Sequence, residues 1–510
     1  MTKITRRLFL EDSLYASFAA SVAATTFSAV ATKDVVAQNA VSPNEQLGIA
    51  IVGAGGRGGD HISFFSRDKR TKILFLCDPD IAQAEKKCAQ IEQRTGYKPQ
   101  AIDDFRKILE NKSVDVVTCA STNHWHALTA IWALQAGKHC YIEKPLTYNI
   151  HEGKAIVAAA KKYGLVVQTG TQCRSHANVI NAVRFIREGG IGEVKFARGL
   201  CYKRRKAIGS LGEYKVPNGI DYDLWSGPAQ IKPVTRPRFH YDWHWQRYYG
   251  NGDLGNQGPH QTDIARCFLD IDRFPQSVVS YGGRLGYDVE KGADYVDAGD
   301  VANTEVSIYD YGNKCLVFET RGLETPNANI PVGENLGTQV GVIAYGTKGY
   351  VIQGSAKGLS YSVSFAYDLE GKQLREFTGG GNHYANFVEA VLKRNPLLAR
   401  ADARCGALSA AVSHLGNTSY YLGEKNKVSV GDLKEFLKSV KSLDDNQETL
   451  TRTVQHLEKV GVDLKKTPLS LGPLLKIDVE NEVFIDNAEA NALTTRDYRL
   501  PYLVPKPEDV

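Results

Sequence analysis

Little in this chain of 510 residues is in excess, and the shortages narrow its function. Charge of one sign is scarce. The formal net charge is +5, which makes no case for nucleic acid on a chain this long. The single dense basic run, Lys203-Arg204-Arg205-Lys206, reads as a solvated loop. Paired cysteine spacing is absent. The nine cysteines include no C-x-x-C, and Cys77, Cys119 and Cys140 fall in strand-like apolar runs as small core residues. Neither a disulfide framework nor a metal site is expected. No internal repeat is evident. Long hydrophobic runs are lacking too. The Ala/Ser-rich stretch from Leu14 to Ala31 is interrupted by Ser and Thr and is too polar for a membrane span. What remains, 43% hydrophobic and 23% charged, is an ordinary globular composition with room for two domains.

Glycine, by contrast, is concentrated. Ile49–Gly59 reads IAIVGAGGRGG: an apolar run with the character of a buried parallel strand, then five glycines in seven residues. Gly53, Gly55 and Gly58 have G-x-G-x-x-G spacing. The first glycine permits the tight turn, the second lets a pyrophosphate approach the backbone, and the third lets the next helix pack close to the sheet. That helix offers free N–H groups and a positive dipole end to phosphate. Gly56 and Arg57 belong to the same loop. A second strand, Ile73–Cys77, ends on Asp78, where a carboxylate accepts the ribose hydroxyls of an adenosine. Asp78 would repel a 2′-phosphate, and Pro79-Asp80 brings no arginine to accept one. NAD is therefore expected rather than NADP.

Around this stretch the chain divides into four parts. Thr5-Arg6-Arg7-Leu8-Phe9-Leu10 resembles a twin-arginine export signal, with Val35-Val36-Ala37 as a small-residue cleavage site. Residues 1–37 are assigned to that signal, and the mature protein to the periplasm or the exterior. Residues 46–170 alternate six strands with helices, including a helix at Asp103–Glu110 and another at His126–Ala136, and imply a doubly wound parallel Rossmann sheet. Residues 171–425 are dominated by strands and imply an α+β domain with an open, mostly antiparallel sheet for substrate binding and oligomerisation. Two helices, Asn382–Leu392 and Ala403–Leu422, pack back on the first domain. Residues 426–510 read as a polar C-terminal extension of moderate order.

The chemistry falls at strand ends, where open α/β sheets bind ligands. Glu143-Lys144-Pro145 closes the fifth strand and aims a lysine at the cofactor crevice. Thr122, Asn123 and His126 follow the fourth strand, where they contact cofactor or cap the next helix. In the second half, Trp243 and His244 lie in an aromatic run suited to stacking on a sugar. Asn256, His260 and Asp263 share a helix face if the helix reaches back that far, and His260 is the side chain best suited to exchange protons near neutral pH.

Taken with Gln168-x-Gly170-x-Gln172, these motifs run in the order found in the Gfo/Idh/MocA (glucose–fructose oxidoreductase/inositol dehydrogenase-like) family, which the chain resembles over roughly residues 46–425. The resemblance implies a Rossmann domain plus an open-faced sheet domain, with Lys144 and His260 as the catalytic pair. It also implies a sugar substrate, a tightly bound NAD and a homo-oligomer (dimer or tetramer), with no metal and no nucleic acid. One position departs: many sugar dehydrogenases of the family carry Asp-x-x-x-His where this chain has Asn256 before His260, so Asp263 or Asp253 would have to replace the missing carboxylate. Two activities fit the motifs equally, hydride transfer from a secondary hydroxyl and a glycosidase cycle that uses NAD without net redox. A nucleotide-binding sensor without turnover fits less well, because it leaves Lys144 and His260 unexplained.

Overall fold

The computed structural model describes residues 46–325, 339–354 and 361–510, and the expected signal at residues 1–37 lies outside them. The first sheet consists of β1 (Leu47–Val52), β2 (Thr71–Cys77), β3 (Gln100–Ile102), β4 (Val116–Cys119), β5 (His139–Ile142) and β6 (Val167–Thr169). All are parallel, in the order β3-β2-β1-β4-β5-β6. Helices α1 (Gly58–Phe65), α2 (Ile81–Thr95), α3 (Asn123–Gln135) and α4 (Ile150–Tyr163) join them. Both faces are covered, which is why β1 and β4 are near-continuous apolar runs and not alternating ones. Local signals end the helices: Gly96 and Gly164 take left-handed conformations after α2 and α4, and Asn149 caps α4 by accepting from the Glu152 N–H. The helix expected at Asp103–Glu110 shrinks to a 3-10 turn, Phe105–Ile108. There the Asp104 side chain takes the Arg106 N–H and favours a tight turn over a full helix. The strand order reverses between β1 and β4, and at that switch point the two carboxyl ends open a crevice.

The second sheet starts after α5 (Ala177–Arg187) with β7 (Val194–Cys201). Next come α6 (Gly252–Asn256), α7 (Gly258–Leu269), β8 (Ser277–Gly283), β9 (Thr304–Asp310), β10 (Cys315–Arg321), β11 (Val340–Gly346) and β12 (Gly349–Gln353). Two strands not foreseen from the sequence, β13 (Val363–Asp368) and β14 (Gln373–Thr378), complete one edge; β14 is mostly exposed and so lacks a clean apolar alternation. The sheet is mixed but mostly antiparallel, with β7 and β10 as a parallel pair. Helices α8 (His383–Leu392) and α9 (Ala403–Leu422) return to the first domain. One sheet face packs Leu316, Phe318 and Val342 against Ile264 and Phe268 of α7 and Leu408 and Leu415 of α9.

The polar extension expected to have moderate order is built of regular elements. Residues after 426 form β15 (Lys427–Val428), α10 (Val430–Ser439), α11 (Asn446–Lys459), β16 (Leu469–Leu471), β17 (Leu475–Asp478) and β18 (Val483–Phe484). Strands β15 and β16 extend the large sheet beyond β8. Leu433, Leu437, Leu450 and Leu457 cover Phe196, Val279, Ile308 and Val317 on the sheet's other face, and Tyr502, Val504 and Val510 join the Rossmann core. The segment looked like a tail because α11 is polar overall and presents a narrow apolar stripe. Part of the sheet face expected to stay open for substrate or subunits is therefore covered from within the chain.

A buried ionic cluster fixes α11 to the sheet. Glu319 of β10 accepts from Arg452 of α11 at 2.9 and 3.0 Å, from the Tyr202 hydroxyl at 2.6 Å, from Arg321 at 3.3 Å and from Arg198. Burial would raise the Glu319 carboxyl, but the charges of Arg452, Arg198 and Arg321 outweigh it and hold the group well below the carboxylate range. Glu319→Gln leaves these arginines without their counter-charge. Chemical denaturation should show a loss of about 3–5 kcal/mol, the usual cost of breaking a buried pair; a loss under about 1 kcal/mol would mean the cluster is not what holds α11.

Candidate active site

The glycine loop is built as its spacing requires. Gly53 has φ +88°, and a Cβ there would lie 2.7 Å from the Ala120 carbonyl group at the end of β4. A Cβ on Gly58 would lie 1.9 Å from the Gly53 carbonyl oxygen. Gly56 also has positive φ, and a Cβ on Gly55 would meet the Gln83 side chain at 2.9 Å. The loop is a backbone cradle at the N-terminus of α1, and it fits a dinucleotide pyrophosphate. Asp78 is buried at the end of β2. One carboxylate oxygen accepts the Ala54 N–H at 2.9 Å and the other the Asp80 N–H at 3.0 Å, so the residue both braces the loop and presents a carboxylate beside it. Burial pushes its pKa up, and the two backbone donors oppose this.

Glu143, at the end of β5, is the most heavily partnered carboxylate at the crevice. It accepts from Arg57 Nε at 3.1 Å and Gln172 Nε2 at 3.0 Å, and lies 3.3 Å from His61 Nε2 and from the Lys144 N–H. A Cβ on Gly170 would come within 2.6–2.8 Å of the carboxylate. The Gln168-x-Gly170-x-Gln172 motif is thus legible: Gly170 makes room for Glu143, Gln172 binds it, and Gln168 Nε2 ties the strand end to the His383 carbonyl at 2.7 Å. Burial alone would raise the carboxyl; the His61 hydrogen bond and the Arg57 charge hold it well below the usual range. Arg57, expected to touch cofactor, spends its guanidinium on Glu143 and Asp60.

Lys144 follows, before Pro145. Its Nζ donates to the Asn256 carbonyl at 2.8 Å and to Asn256 Oδ1 at 3.0 Å. Two of the three ammonium protons are fixed, and the third has no partner among the described residues. Burial lowers its pKa to about 8 against the opposing charge of Glu143, and Arg57 and Arg205 push in the same direction as burial.

The second domain supplies the facing wall. His260, in the first turn of α7, is half-buried, and its Nδ1 is buried with no hydrogen-bond partner among the described residues. Burial and the nearby Lys144 charge lower its pKa to about 3, so the ring is neutral. The helical run breaks at Gln257, and the shared face expected for Asn256, His260 and Asp263 does not form. Asn256 reaches Lys144, whereas Asp263 is sealed in the core. There it accepts from Arg174 Nε at 2.9 and 3.0 Å and from Ser409 Oγ at 2.8 Å. Asp253 is likewise held by Arg205, at 2.7 and 2.8 Å. Neither carboxylate is placed to stand in for the one missing before His260, and Asp263 is not a substrate ligand.

The structure places the remaining expected residues as follows. Trp243 packs in a cluster with Trp225, Phe239 and Tyr249, so it is a core plug and not a sugar platform. His244 stacks on it at 3.6 Å and remains half-buried. Thr122 occupies the N-cap position of α3 without a capping bond, and its hydroxyl lies 3.2 Å from His124 Nε2. Asn123 donates to Asn251 Oδ1 at 2.9 Å. His126 is buried between the Pro145 carbonyl at 2.6 Å and the Ser121 carbonyl at 3.1 Å. All three side chains brace the loops around the crevice. Sequence reasoning missed His61, Arg174, Arg205 and Asn251. His61, Arg205 and Asn251 are polar residues at buried positions, Arg174 is half-buried, and the partner of each is distant in the chain.

Two domains meet at a crevice lined by a glycine cradle that fits a dinucleotide, a lysine and a neutral histidine. Residues 47–171 match the model of the oxidoreductase family, NAD-binding Rossmann fold, and residues 197–291 match that family's C-terminal alpha/beta domain. Over these two segments the chain is similar to the Gfo/Idh/MocA oxidoreductase family. Among curated relatives, a levoglucosan dehydrogenase from Pseudarthrobacter phenanthrenivorans is 28% identical over 39% of this chain and 42% of the relative. A glycosyl hydrolase family 109 protein from Shewanella sp. strain ANA-3 is also 28% identical, over 38% of this chain and 45% of the relative. The match thus spans less than half of either relative. A levoglucosan dehydrogenase solved with NADH and levoglucosan superimposes with TM-score 0.52 at 18% identity, over 72% of this chain and 96% of that one. Among the described residues no helix is long and apolar enough to cross a membrane, and no cluster of three or more His, Cys, Asp or Glu is arranged to hold a metal.

The position of Asp78 and the commitment of Arg57 to Glu143 set the nucleotide preference. Calorimetric titration should show NAD binding at least about tenfold tighter than NADP, since a 2′-phosphate would face a carboxylate without a free arginine. Equal or tighter NADP binding would overturn the role given to Asp78.

Proposed function

We propose that the protein transfers hydride between a secondary hydroxyl of a sugar or sugar derivative and a bound NAD. The observation that carries this reading is the Lys144 ammonium, fixed by the two hydrogen bonds it donates to Asn256 with one proton left to donate. NAD would sit on Gly53, Gly55 and Gly58 with its ribose at Asp78, and it supplies the two-electron acceptor. The protein's own part is to bind the substrate oxygen and move its proton. The third Lys144 proton binds that oxygen and stabilises alkoxide character while hydride leaves carbon. Neutral His260 presents its Nε2 from the facing wall. The 28%-identical levoglucosan dehydrogenase supports a carbohydrate substrate.

A second reading has support from the family 109 relative. In it, oxidation at one ring carbon acidifies its neighbour, the glycosidic group is eliminated, water adds and the hydride returns. A panel of free sugars (levoglucosan included) and chromogenic glycosides separates the two. Net NADH formation favours the dehydrogenase, and aglycone release without it favours the glycosidase. No turnover on any of them would point to the binding-only alternative.

We also propose export in the folded state, on the strength of Thr5-Arg6-Arg7-Leu8-Phe9-Leu10. A compartment without free nicotinamide nucleotide requires a cofactor that travels with the protein and a cycle that returns the hydride. Purified, desalted and denatured protein should then release close to one nicotinamide nucleotide per chain. Cofactor-free protein that needs added NAD for each turnover would refute this.

Lys144→Met and His260→Ala should each lower turnover by roughly 100-fold or more while keeping nucleotide, the usual scale for a positioned acid–base group. Near-normal rates would remove the residue from the mechanism. The ammonium form of Lys144 exists below its pKa of about 8 and is lost above it. Rates of ketone reduction, which need the donor, should therefore fall as pH rises through about 8. A profile flat across that range would exclude Lys144 as the donor.

A further inference from the structure

The crevice described so far is rich in donors. Lys144 presents an ammonium proton. His260 has an Nδ1 sealed without a partner, and an empty acceptor there costs less than an orphaned N–H, so its proton belongs on Nε2. Alcohol oxidation also needs a group to accept the hydroxyl proton. The carboxylates around the crevice are committed: Glu143 to Arg57 and His61, Asp253 to Arg205, Asp263 to Arg174.

We propose that His244 is that acceptor, through an open Nε2 whose tautomer is set by the Tyr241 carbonyl. The proposal rests on the oxidoreductase reading and adds a catalytic residue to it. His244 Nδ1 lies 2.5 Å from the Tyr241 carbonyl oxygen, which can only accept, so the ring proton is on Nδ1. Nε2 keeps its lone pair and has no partner among the described residues. The ring is clamped. Trp243 stacks on one side at 3.6 Å and 21°, and the Tyr241 ring lies 4.8 Å away. Beneath it, a Cβ on Gly250 would lie 2.4–2.7 Å from the His244 backbone.

The carbonyl that sets the tautomer sits in a strained turn. Tyr241 has φ +65° and ψ −45°, and the Asp242 N–H bonds the His240 carbonyl at 2.8 Å, a γ-turn of the rarer hand built on a bulky, exposed residue. Strain of this kind persists where surrounding contacts impose it, and it gathers at functional sites. Here the loop is pinned by Arg238 on Asp242 at 2.7 Å and by Arg236 on the Phe239 carbonyl at 2.6 Å. Its far end is fixed to the crevice, with Asn251 donating to the Tyr148 carbonyl at 2.9 Å and accepting from Asn123. Burial, with the nearby charges of Lys144 and Arg205, holds the His244 ring neutral.

The step balances. The substrate C–H bond breaks and its electron pair leaves as hydride to the oxidised nicotinamide, the C=O bond forms, and the O–H proton goes to His244 Nε2. The imidazolium forms against the burial and the nearby positive charges that keep the resting ring neutral; its Nδ1–H bond to Tyr241 becomes charge-assisted and the faces of Trp243 and Tyr241 attract the cation, which offsets part of that cost.

Two measurements test this. In full-length protein labelled with 15N-histidine, long-range proton–nitrogen spectra assigned with His244→Gln and His260→Gln should show His244 as the Nδ1–H tautomer. An Nε2–H tautomer at His244 overturns the proposal without reference to any substrate. On whichever sugar of the panel the wild type turns over, His244→Ala should lose roughly 100-fold in kcat with its nucleotide retained, and millimolar imidazole should restore at least about tenfold. His244→Ala with near-normal kcat, or a loss that imidazole does not lift, overturns it. A wild type inactive on every sugar instead refutes the oxidoreductase reading, while the tautomer still decides the geometry of His244.

Discussion

The arrangement depends first on the buried carboxylate of Glu143. It gathers His61 from the helix after the glycine loop, Arg57 from the loop itself and Gln172 from the turn after β6, and it sits where Gly170 leaves room. A carboxylate taken from water costs several kcal/mol unless donors replace the lost hydration. Those donors come from separate segments, so satisfying Glu143 also fixes the relative placement of β1, β5 and β6. Lys144 is the next residue. Its position at the crevice mouth follows from that anchor, and its lowered pKa follows from the burial the anchor allows.

A comparable device works on the second sheet. Glu319 draws Arg198, Arg321 and Arg452 together across β7, β10 and α11, with leucines of α10 and α11 beside it. The polar cluster gives the C-terminal helices a defined seat, and apolar burial supplies most of the stabilisation there. The C-terminal residues then cross to the Rossmann domain, where Tyr502 packs edge-on against Trp125 at 5.4 Å. Both domains are thus tied by one extension.

What could be read from the sequence follows the range of the interactions. The Rossmann sheet was legible because its strands are short apolar runs punctuated by glycine, and the glycine loop because a clash of under 2 Å leaves no alternative at Gly58. Lys144 was legible because it ends a strand beside that loop. The role of Asp263 was not, since helical spacing reports a shared face and says nothing of a partner such as Arg174, which is 89 residues away in the chain. Trp243 misled for a related reason: an aromatic run has the same composition whether it plugs a core or lines a pocket. The C-terminal extension was misjudged because α10 is mostly solvent-facing and α11 buries polar residues as well as leucines, and the charges that anchor it look like surface charges until their partners are known.

The proposed reaction leaves its acid–base chemistry to lysine and histidine. Two acidic side chains near the crevice, Glu143 and Asp263, are held ionised by nearby donors well enough that their pKa values fall despite burial. A carboxylate stabilised in this way resists taking a proton near neutrality and serves as a fixed negative post. The groups left uncommitted are those that burial pushes toward neutrality. Lys144 is brought to about 8, and the His244 and His260 rings are kept uncharged. A site whose carboxylates are saturated and whose bases are desolvated can move a proton without building up net charge. Asn256 fits the same pattern: its amide oxygen orients the Lys144 ammonium at 3.0 Å without adding a further negative charge that would raise the lysine's pKa again.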